Sequence, residues 1–385
     1  MKNTYFYILL LLIASCTPEP PVPSNPFELT FGGAKDDVAN DVLYLDEAFY
    51  VFGTTKSKGD ENGDHYLLKL DINGKLIWEK SYGGTEAENG VVMTKTSDGN
   101  LLLAGSTRST GSGREDIHLI KVDTAGTVLW EQTHGGSLFD SPDDIIEMTN
   151  GEFCIASTTV SFGAGSKDMY LLWTDQNGNL LREKTYGGPD LDGCAEILEI
   201  ENGELMLHAY TKNYGAVSRD MYLLKMTSEG DSLWSRRFGS DEYEQSESFE
   251  RRADGGYVIG GHTAGTDPDH NMYSVGFDRD GNQLWEQEYG GDAHDGVQCM
   301  LINQQGQYVF VGRSMSFGNG DRGIYMVTTD TEGNLLRADT LGGPRNDWAQ
   351  EIIEHESFYI LAGHSNSFSS DGDDDVYVIK IPSGL

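Results

Sequence analysis

The chain has 385 residues and a formal net charge of −35, with 62 acidic against 27 basic side chains. This acidity argues against binding to nucleic acid and against electrostatic docking on anionic lipid, because both surfaces are themselves negative. Aromatic residues make up 10% of the chain and lie in regular strand patterns, which provides enough apolar surface for a core and excludes a disordered chain.

The first fifteen residues have the pattern of a secretory signal peptide. Lys2 precedes an apolar run over residues 5–14 that is too short to span a bilayer. The run ends in Ile13-Ala14-Ser15-Cys16, which resembles the bacterial lipobox, where the cysteine becomes a diacylated N-terminus. We therefore predict a lipoprotein signal peptide at residues 1–15 and lipidation of Cys16. The alternative is a free cysteine beside an ordinary cleavage site.

Residues 16–26 have the composition of a tether between the lipid and the folded body. They hold half of the 10 prolines in the chain, and such segments form extended, stiff polyproline II spacers. Acyl chains would anchor the protein to a membrane without spanning it. Thr17 is not the Asp that commonly marks inner-membrane retention in Gram-negative lipoproteins. We expect an exported protein, anchored in the cell envelope, and favour the outer membrane with the leaflet left open.

The body, residues 27–385, consists of seven repeats. Each repeat is marked by a Gly-Gly pair, and successive pairs are 51 or 52 residues apart. The pairs begin at Gly32, Gly83, Gly135, Gly187, Gly290 and Gly342, with Gly239-Ser240 in the remaining position. Each repeat holds four short apolar runs bounded by Gly, Asn or Asp, which predicts four strands. The period and strand number predict an all-β fold, a seven-bladed β-propeller of four-stranded antiparallel blades.

Blade two illustrates the four strands, named A to D in chain order. We predict them at residues 91–96, 101–106, 117–123 and 128–134. Strand A is predicted to be innermost, because one of its columns holds mostly small residues, as crowding around a central axis requires. That column reads Ala39, Gly90, Pro142, Cys194, Ser246, Val297 and Ala349.

The last repeat lacks strand D. The chain supplies strands A, B and C and then stops at Ser383-Gly384-Leu385. The segment 27–31, which precedes the first Gly-Gly pair, has the strand D pattern and no strands of its own blade before it. We predict that this N-terminal strand pairs with strand C of the last blade, because that closes the ring and removes two exposed sheet edges.

Blade three carries a more specific resemblance. Its segments Asp168-Met169-Tyr170-Leu171-Leu172, Asp175-Gln176-Asn177-Gly178-Asn179-Leu180-Leu181 and Tyr186-Gly187-Gly188 resemble the SBBP family, the seven-bladed β-propeller repeat of bacterial exported proteins. The resemblance covers residues 27–385. It implies the propeller fold and a cell-envelope setting, but it implies no single activity and no motif residues.

One column of carboxylates is a weak candidate for metal binding. It stands four residues after the second glycine position of every repeat, at Asp37, Glu88, Asp140, Asp192, Glu244, Asp295 and Asp347. Such a ring could bind Ca²⁺, which takes oxygen ligands. We favour the alternative that each carboxylate caps the loop backbone of its own blade, because a ligand site normally breaks the symmetry of a repeat. No cofactor is therefore predicted, with Ca²⁺ left open.

A better candidate for a site is the end of strand B, where the repeats differ. The column reads Thr54, Ser106, Thr158, Tyr210, His262, Arg313 and His364. Aromatic residues follow in the adjoining loops, and aromatic faces beside hydrogen-bond donors suit a sugar or a peptide. We predict a ligand surface over blades four to seven, formed by Tyr210, His262, Arg313, His364, Trp348, Tyr214, Phe317 and Phe368. The alternative is ordinary variation among exposed loop residues.

No catalytic trio, histidine metal motif or phosphate-binding loop is visible in the sequence. We therefore expect a monomeric, non-catalytic binding or scaffold module for a glycan or another envelope protein. The alternative is a polysaccharide lyase or hydrolase, in which His262, Arg313, His364 and nearby carboxylates act as acid and base.

Overall fold

The computed structural model describes residues 25–239, 241, 243–263, 270–318, 321–369 and 371–384. The predicted signal peptide, Cys16 and nearly all of the tether lie outside the described residues. In the described part of the chain, no helix is long and apolar enough to cross a membrane. The one helical element of that part is a 3-10 turn at Glu201–Gly203, and strands make up the rest of the regular structure.

The body contains 28 strands within the described residues. A short strand, β1, opens the body at Phe27–Phe31. Blade one contains β2 (Asp37–Leu45), β3 (Ala48–Thr55), β4 (Asp64–Asp71) and β5 (Leu76–Tyr82). Blade two contains β6 (Glu88–Lys95), β7 (Leu101–Thr107), β8 (Asp116–Val122) and β9 (Val128–His134). Blade three contains β10 (Asp140–Glu147), β11 (Phe153–Thr159), β12 (Asp168–Thr174) and β13 (Leu180–Tyr186).

The remaining blades follow the same order. Blade four contains β14 (Asp192–Glu199), β15 (Leu205–Thr211), β16 (Asp220–Met226) and β17 (Ser232–Phe238). Blade five contains β18 (Glu244–Arg251), β19 (Tyr257–Thr263), β20 (Asn271–Phe277) and β21 (Gln283–Tyr289). Blade six contains β22 (Asp295–Ile302), β23 (Tyr308–Ser314), β24 (Gly323–Thr329) and β25 (Leu335–Leu341). Blade seven contains β26 (Asp347–His355), β27 (Phe358–Ser365) and β28 (Asp375–Pro382).

Each blade is a four-stranded antiparallel sheet, which confirms the predicted propeller. The first strand of every blade contacts the first strands of both neighbouring blades, so the seven A strands form the innermost ring. The D strands lie on the outside, where apolar side chains such as Val128 and Leu180 stay exposed.

The ring closes as predicted. Strand β1 pairs antiparallel with β28, from Phe27 opposite Lys380 to Phe31 opposite Val376, and completes blade seven. Phe27 and Phe31 pack against the apolar cluster between blades seven and one. The two ends of the described chain therefore share one sheet. Their pairing covers the edges of β1 and β28 that face each other.

The start of strand A differs from the prediction. In blade two the strand begins at Glu88, ahead of the predicted start at Val91, because Glu88, Asn89 and Gly90 already pair with β7. These polar and glycine residues have the composition of a loop. A β-bulge follows them directly, at the same place in all seven A strands, which interrupts the alternation by which a strand is recognised.

The residue after the bulge links each blade to the next. An edge strand exposes unpaired N–H groups, and here the preceding blade accepts several of them. Asp41 accepts from Met93 N at 2.6 Å, Asp144 from Ile197 N at 2.8 Å, Glu196 from Phe249 N at 2.7 Å and Ser248 from Met300 N at 3.1 Å. At these four of the seven junctions, the inner edge of one blade therefore donates to the blade before it.

Apolar clusters fill the gaps between neighbouring blades. Trp173 of blade three, for example, packs with Leu207 and Tyr222 of blade four. The described cysteines Cys154, Cys194 and Cys299 are buried and free. Burial raises the pKa of all three thiols, so they act as small apolar side chains.

Candidate functional site

The central channel is a cavity of about 760 Å³ lined by the A strands. Carboxyl groups dominate its wall because the bulge and the residues next to it turn toward the axis. The acidic residues that line it are Asp41, Asp143, Asp144, Glu196, Glu247, Glu250 and Glu351. Lys167 and Arg219 are the basic residues among the described lining residues, and both belong to the same end of the channel.

Burial raises the pKa of these channel carboxyls. The pKa of Asp143 rises to about 8, that of Asp144 to about 6, and those of Glu247 and Glu250 to about 7. The pKa values of Asp41, Glu196 and Glu351 are raised for the same reason. The protein surrounds each group on most sides, which disfavours the charged form. Several of these carboxyls are therefore neutral near pH 7, which limits the mutual repulsion in the channel.

A second cavity of about 550 Å³ opens beside the channel, over blades five and six. Gln245, Glu247 and Gln298 line both cavities, so the two are continuous. We call this second cavity the mouth pocket. It is lined further by Tyr243, His262, His270, His294, Gly296, Val297 and Arg313.

Three histidine rings meet in the mouth pocket. The ring centres of His270 and His294 are 4.6 Å apart, and His262 lies 5.3 Å from His270 and 5.9 Å from His294. Burial, followed by the charges of its neighbours, lowers the pKa of His262 to about 3. Burial and the nearby Arg313 also lower the pKa of His294. Both rings are therefore neutral at pH 7 and can donate or accept a hydrogen bond.

A chain of polar contacts links the pocket to the channel wall. Arg219 Nη1 donates to Tyr243 Oη at 3.0 Å and to Gln245 Oε1 at 3.1 Å. Gln245 in turn donates to Glu247. The guanidinium of Arg219 also lies 4.4 Å from the ring centre of Tyr210. These contacts fix the orientation of Tyr243 and Gln245, which gives the pocket a rigid polar wall.

The structure brings several of the predicted site residues together. His262 and Arg313 share the mouth pocket, and Tyr210 lines the adjoining channel. His364 and Trp348 form a stacked pair on blade seven, with ring centres 4.6 Å apart. Arg322 of blade six lies 5.7 Å from the Trp348 ring centre, so this pair borders the same region without lining the pocket.

The loop aromatics do not converge on that region. Tyr214 stacks on Tyr222 with ring centres 5.2 Å apart, Phe317 packs on Tyr325 at 4.8 Å, and Phe368 on Tyr377 at 5.3 Å. Phe162 makes the same contact with Tyr170 on blade three. Each aromatic thus covers the strand C tyrosine of its own blade.

Two further columns supply the pocket residues that the sequence prediction missed. The residue before strand C reads Gly63, Glu115, Lys167, Arg219, His270, Arg322 and Asp374, and is basic only in blades three to six. The residue before strand A reads Asp36, Ala87, Phe139, Leu191, Tyr243, His294 and Asn346. Backbone hydrogen bonds such as Glu244 N to Arg219 O and Met315 N to His294 O hold these columns beside the end of strand B. When all three columns are compared blade by blade, blades five and six are the ones with a basic or aromatic residue in every column, and this comparison identifies them as the position of the pocket.

The acidic column has a structural role in the described blades. The second glycine of the Gly-Gly pair donates its N–H to the carboxylate, as in Gly33 to Asp37 at 2.8 Å and Gly136 to Asp140 at 2.7 Å. A hydroxyl at the end of strand B donates to the same group in blades one to four and seven. Among the described residues, no group of His, Cys, Asp and Glu has the geometry to hold a metal ion.

The same contacts explain the Gly-Gly period. A Cβ at Gly83 would collide with the carboxyl groups of both Asp64 and Glu88, which approach it from two adjacent blades. The equivalent glycines of other blades, such as Gly187, meet the same pair of acidic side chains. Glycine is required at this position because acidic side chains from two adjacent blades occupy the space that a Cβ would need.

We expect Asp347→Asn to lower the thermal midpoint with or without Ca²⁺. Asp347 accepts from Gly343 N and Ser367 Oγ, both at 2.8 Å, and from Ser365 Oγ. An amide replaces one accepting oxygen by a donor, and an unsatisfied buried group costs about 1–3 kcal/mol. The exposed Asp371→Asn on the same blade serves as control. A stabilisation by Ca²⁺ that Mg²⁺ cannot reproduce, and that Asp347→Asn removes, would contradict this assignment.

No known protein family profile matches the chain. The regulatory protein FlaEY of Caulobacter vibrioides is 23% identical over 438 aligned positions, which cover 93% of this chain and 44% of that protein. The chain thus spans less than half the length of this curated relative.

Solved β-propellers share the fold. Puromycin hydrolase is 15% identical with a TM-score of 0.54, over 86% of this chain and 51% of that one. The Pan2 WD40 domain of Neurospora crassa is 12% identical with a TM-score of 0.52, over 88% of both chains. Sqt1 of Chaetomium thermophilum is 14% identical with a TM-score of 0.51, over 88% of this chain and 83% of that one. These similarities establish the propeller architecture and leave the chemistry to the site itself.

Proposed function

We propose that the protein is a binding propeller of the bacterial cell envelope, anchored through Cys16, and that its mouth pocket holds a glycan. The observation that carries this proposal is the convergence of His262, His270, His294, Tyr243 and Arg313 in one cavity. Blades five and six are the ones that hold a basic or aromatic residue in all three matching columns, which gives an asymmetric site on a symmetric ring.

The chemistry of the pocket supports a saccharide ligand. Neutral imidazoles, a phenol and the Gln245 and Gln298 amides can all exchange hydrogen bonds with hydroxyl groups. The pocket is continuous with a deep channel, so a bound sugar chain has room to extend. The name of FlaEY as a regulatory protein also supports a binding or scaffold role. The signal peptide, lipidation, outer-membrane position and SBBP membership belong to the same proposal.

A second candidate is a polysaccharide lyase, and the clustered side chains favour it over a hydrolase. Burial lowers the pKa of His262 and raises that of Tyr243, so at pH 7 the imidazole is free to accept a proton and the phenol keeps one to donate, although both shifts weaken the groups as base and acid. The candidate pair lies in one pocket, since the His262 and Tyr243 ring centres are 6.1 Å apart. His364, in contrast, is stacked with Trp348 on blade seven.

A panel of neutral and acidic polysaccharides tests both candidates on the purified body, residues 27–385. We expect at least one glycan to bind without release of new reducing ends or unsaturated products. His262→Ala and His294→Ala should weaken that binding by about tenfold or more, since each removes a polar group at the centre of the site. Ser106→Ala, the position on blade two that matches His262, is the control.

Three outcomes would decide against the proposal. Unsaturated products that disappear in Tyr243→Phe would replace it by the lyase. Absence of both binding and products, or equal loss of binding in Ser106→Ala and His262→Ala, would contradict a glycan site at the mouth pocket.

A further inference from the structure

Basic side chains collect at one end of the channel in an otherwise acidic protein. Lys167 and Arg219 line the channel, and Arg313 lines the mouth pocket. Arg322 lies close enough to His294 to lower its pKa, as Arg313 does. We call these four residues, Lys167, Arg219, Arg313 and Arg322, the basic arc.

The basic arc lacks carboxylate partners among the described residues. Arg219 donates to a phenol and an amide. The side chains of Lys167, Arg313 and Arg322 form no hydrogen bond or ion pair with any part of the chain that the structure describes, although Arg322 stacks over Trp348. Glu247 and Asp143 lie nearby, and both have raised pKa values that reduce their negative charge.

Many cations elsewhere in the described chain are paired with carboxylates, although single exposed ones such as Lys75 and Lys95 are not. Ion pairs join Lys56 to Asp36, Arg108 to Glu115, Lys121 to Asp98, Arg182 to Glu152 and Lys225 to Glu204. With 62 acidic side chains against 27 basic ones, a cation finds a carboxylate easily. What distinguishes the basic arc is that four cations without a carboxylate partner among the described residues surround one cavity, an arrangement that suits an anionic ligand.

We infer that Arg313, flanked by Arg219 and Arg322, binds the carboxylate of an acidic sugar unit at the mouth pocket. The inference rests on the proposed glycan-binding function and names its substrate class. A guanidinium matches a carboxylate because two parallel N–H groups can face its two oxygens. His270 and His294 stand beside Arg313 and are placed to bind the hydroxyl groups of the same sugar.

The net charge restricts the ligand further. A body with a charge of −35 repels polyanions. A glycan with a carboxylate on every unit would therefore be repelled wherever it extends past the basic arc. A chain or chain end with sparse carboxylates meets this condition.

The inner strands favour a sugar over a peptide. An extended peptide binds most readily by pairing with an open strand edge. The edge amides of Met93, Ile197, Phe249 and Met300 already donate to side chains of the preceding blade. A peptide therefore finds few free donors along these channel strands, whereas a sugar needs only the side chains of the pocket.

The test compares two probes that differ only at C6, methyl β-D-glucuronoside and methyl β-D-glucoside, by NMR titration of the body, residues 27–385. We expect the glucuronoside to bind about tenfold more tightly or better, as a charge-assisted bidentate contact implies. Arg313→Gln and Arg322→Gln should each remove that preference, measured within each variant as the ratio of its affinities for the glucuronoside and the glucoside. Arg114→Gln, an exposed arginine on blade two, should keep it. Acetyl-dialanine, whose carboxylate ends a peptide, is the third probe.

Each other outcome overturns the inference in a distinct way. Equal binding of both glycosides keeps the glycan-binding function but rejects carboxylate recognition. Tighter binding of acetyl-dialanine than of the glucuronoside rejects a sugar ligand. If the preference for the glucuronoside persists in both Arg313→Gln and Arg322→Gln, the carboxylate binds outside the basic arc. If the body binds none of the three probes and no member of the polysaccharide panel, the proposed function itself is rejected.

Discussion

Removal of residues 1–31 is expected to lower the thermal midpoint of the propeller by about 5–10 °C and to cause aggregation. The deletion removes β1, whose ladder with β28 runs from Phe27 to Phe31. It also withdraws the partly buried Phe27 and Phe31 from the cluster between blades seven and one; a side chain of this size contributes about 1.5–3 kcal/mol when fully buried, and less in proportion to the area that stays exposed. The newly open edge of β28 can then pair with another molecule.

A variant that begins at residue 27 is the matched control. It keeps β1 and should melt like the longer protein, because the residues it removes precede the first strand. Thermal melts and light scattering of the two variants measure the effect. Superimposable melting curves would mean that the ring does not depend on its N-terminal strand.

Asp143→Asn is expected to stabilise the protein at pH 8.5 and to have no effect at pH 4. Burial raises the pKa of Asp143 to about 8 in the folded state, against an ordinary value near 3.8. A carboxyl whose pKa is raised by folding stabilises the folded state. This contribution is complete at pH values below the pKa of the group in the unfolded chain, and it is lost as the pH rises through the pKa of the group in the folded protein. One pKa unit corresponds to about 1.4 kcal/mol, so the full loss above pH 8 is about 6 kcal/mol.

The asparagine avoids that loss because it cannot ionise. Its carbonyl oxygen can still accept the hydrogen bond that Thr158 Oγ1 donates to Asp143 at 2.7 Å. We expect a rise of about 5 °C in the thermal midpoint at pH 8.5, declining steadily between pH 8 and pH 4. Glu247→Gln should behave alike over a narrower range, since its folded pKa is about 7.

Buried histidines make the protein less stable as the pH falls, whereas buried carboxyls make it less stable as the pH rises. Each variant must therefore be compared with its parent at every pH. Burial lowers the pKa of both His65 and His208 to about 3, and their contribution is lost as the pH falls from about 6.5 toward 3. The exposed Asp190→Asn should match the parent throughout. Destabilisation by Asp143→Asn at pH 8.5 would show instead that an ionised Asp143 pairs usefully with Lys167.

The repeat allowed much of the fold to be predicted from the sequence. Strand β1 and its pairing follow from the absence of a last strand D, because a propeller must close its ring. Strands B, C and D are bounded by local turn chemistry, and Leu101 and Val128 are correctly predicted strand starts. Strand A is the exception, since the bulge after Gly90 and the polar residues before it carry no local signal.

The candidate site shows the same division. His262 and Arg313 could be found in one column, because each column occupies one position in every blade. Tyr243, His270 and His294 come from other columns, and only the packed ring brings the three columns to one opening. The sequence by itself determined the seven blades, the closing strand and the asymmetry of blades four to seven, because each depends on local pattern and repetition. The channel of neutralised carboxyls, the mouth pocket and its unpaired arginines were decided by tertiary structure, because burial and proximity arise only when the blades close around the axis.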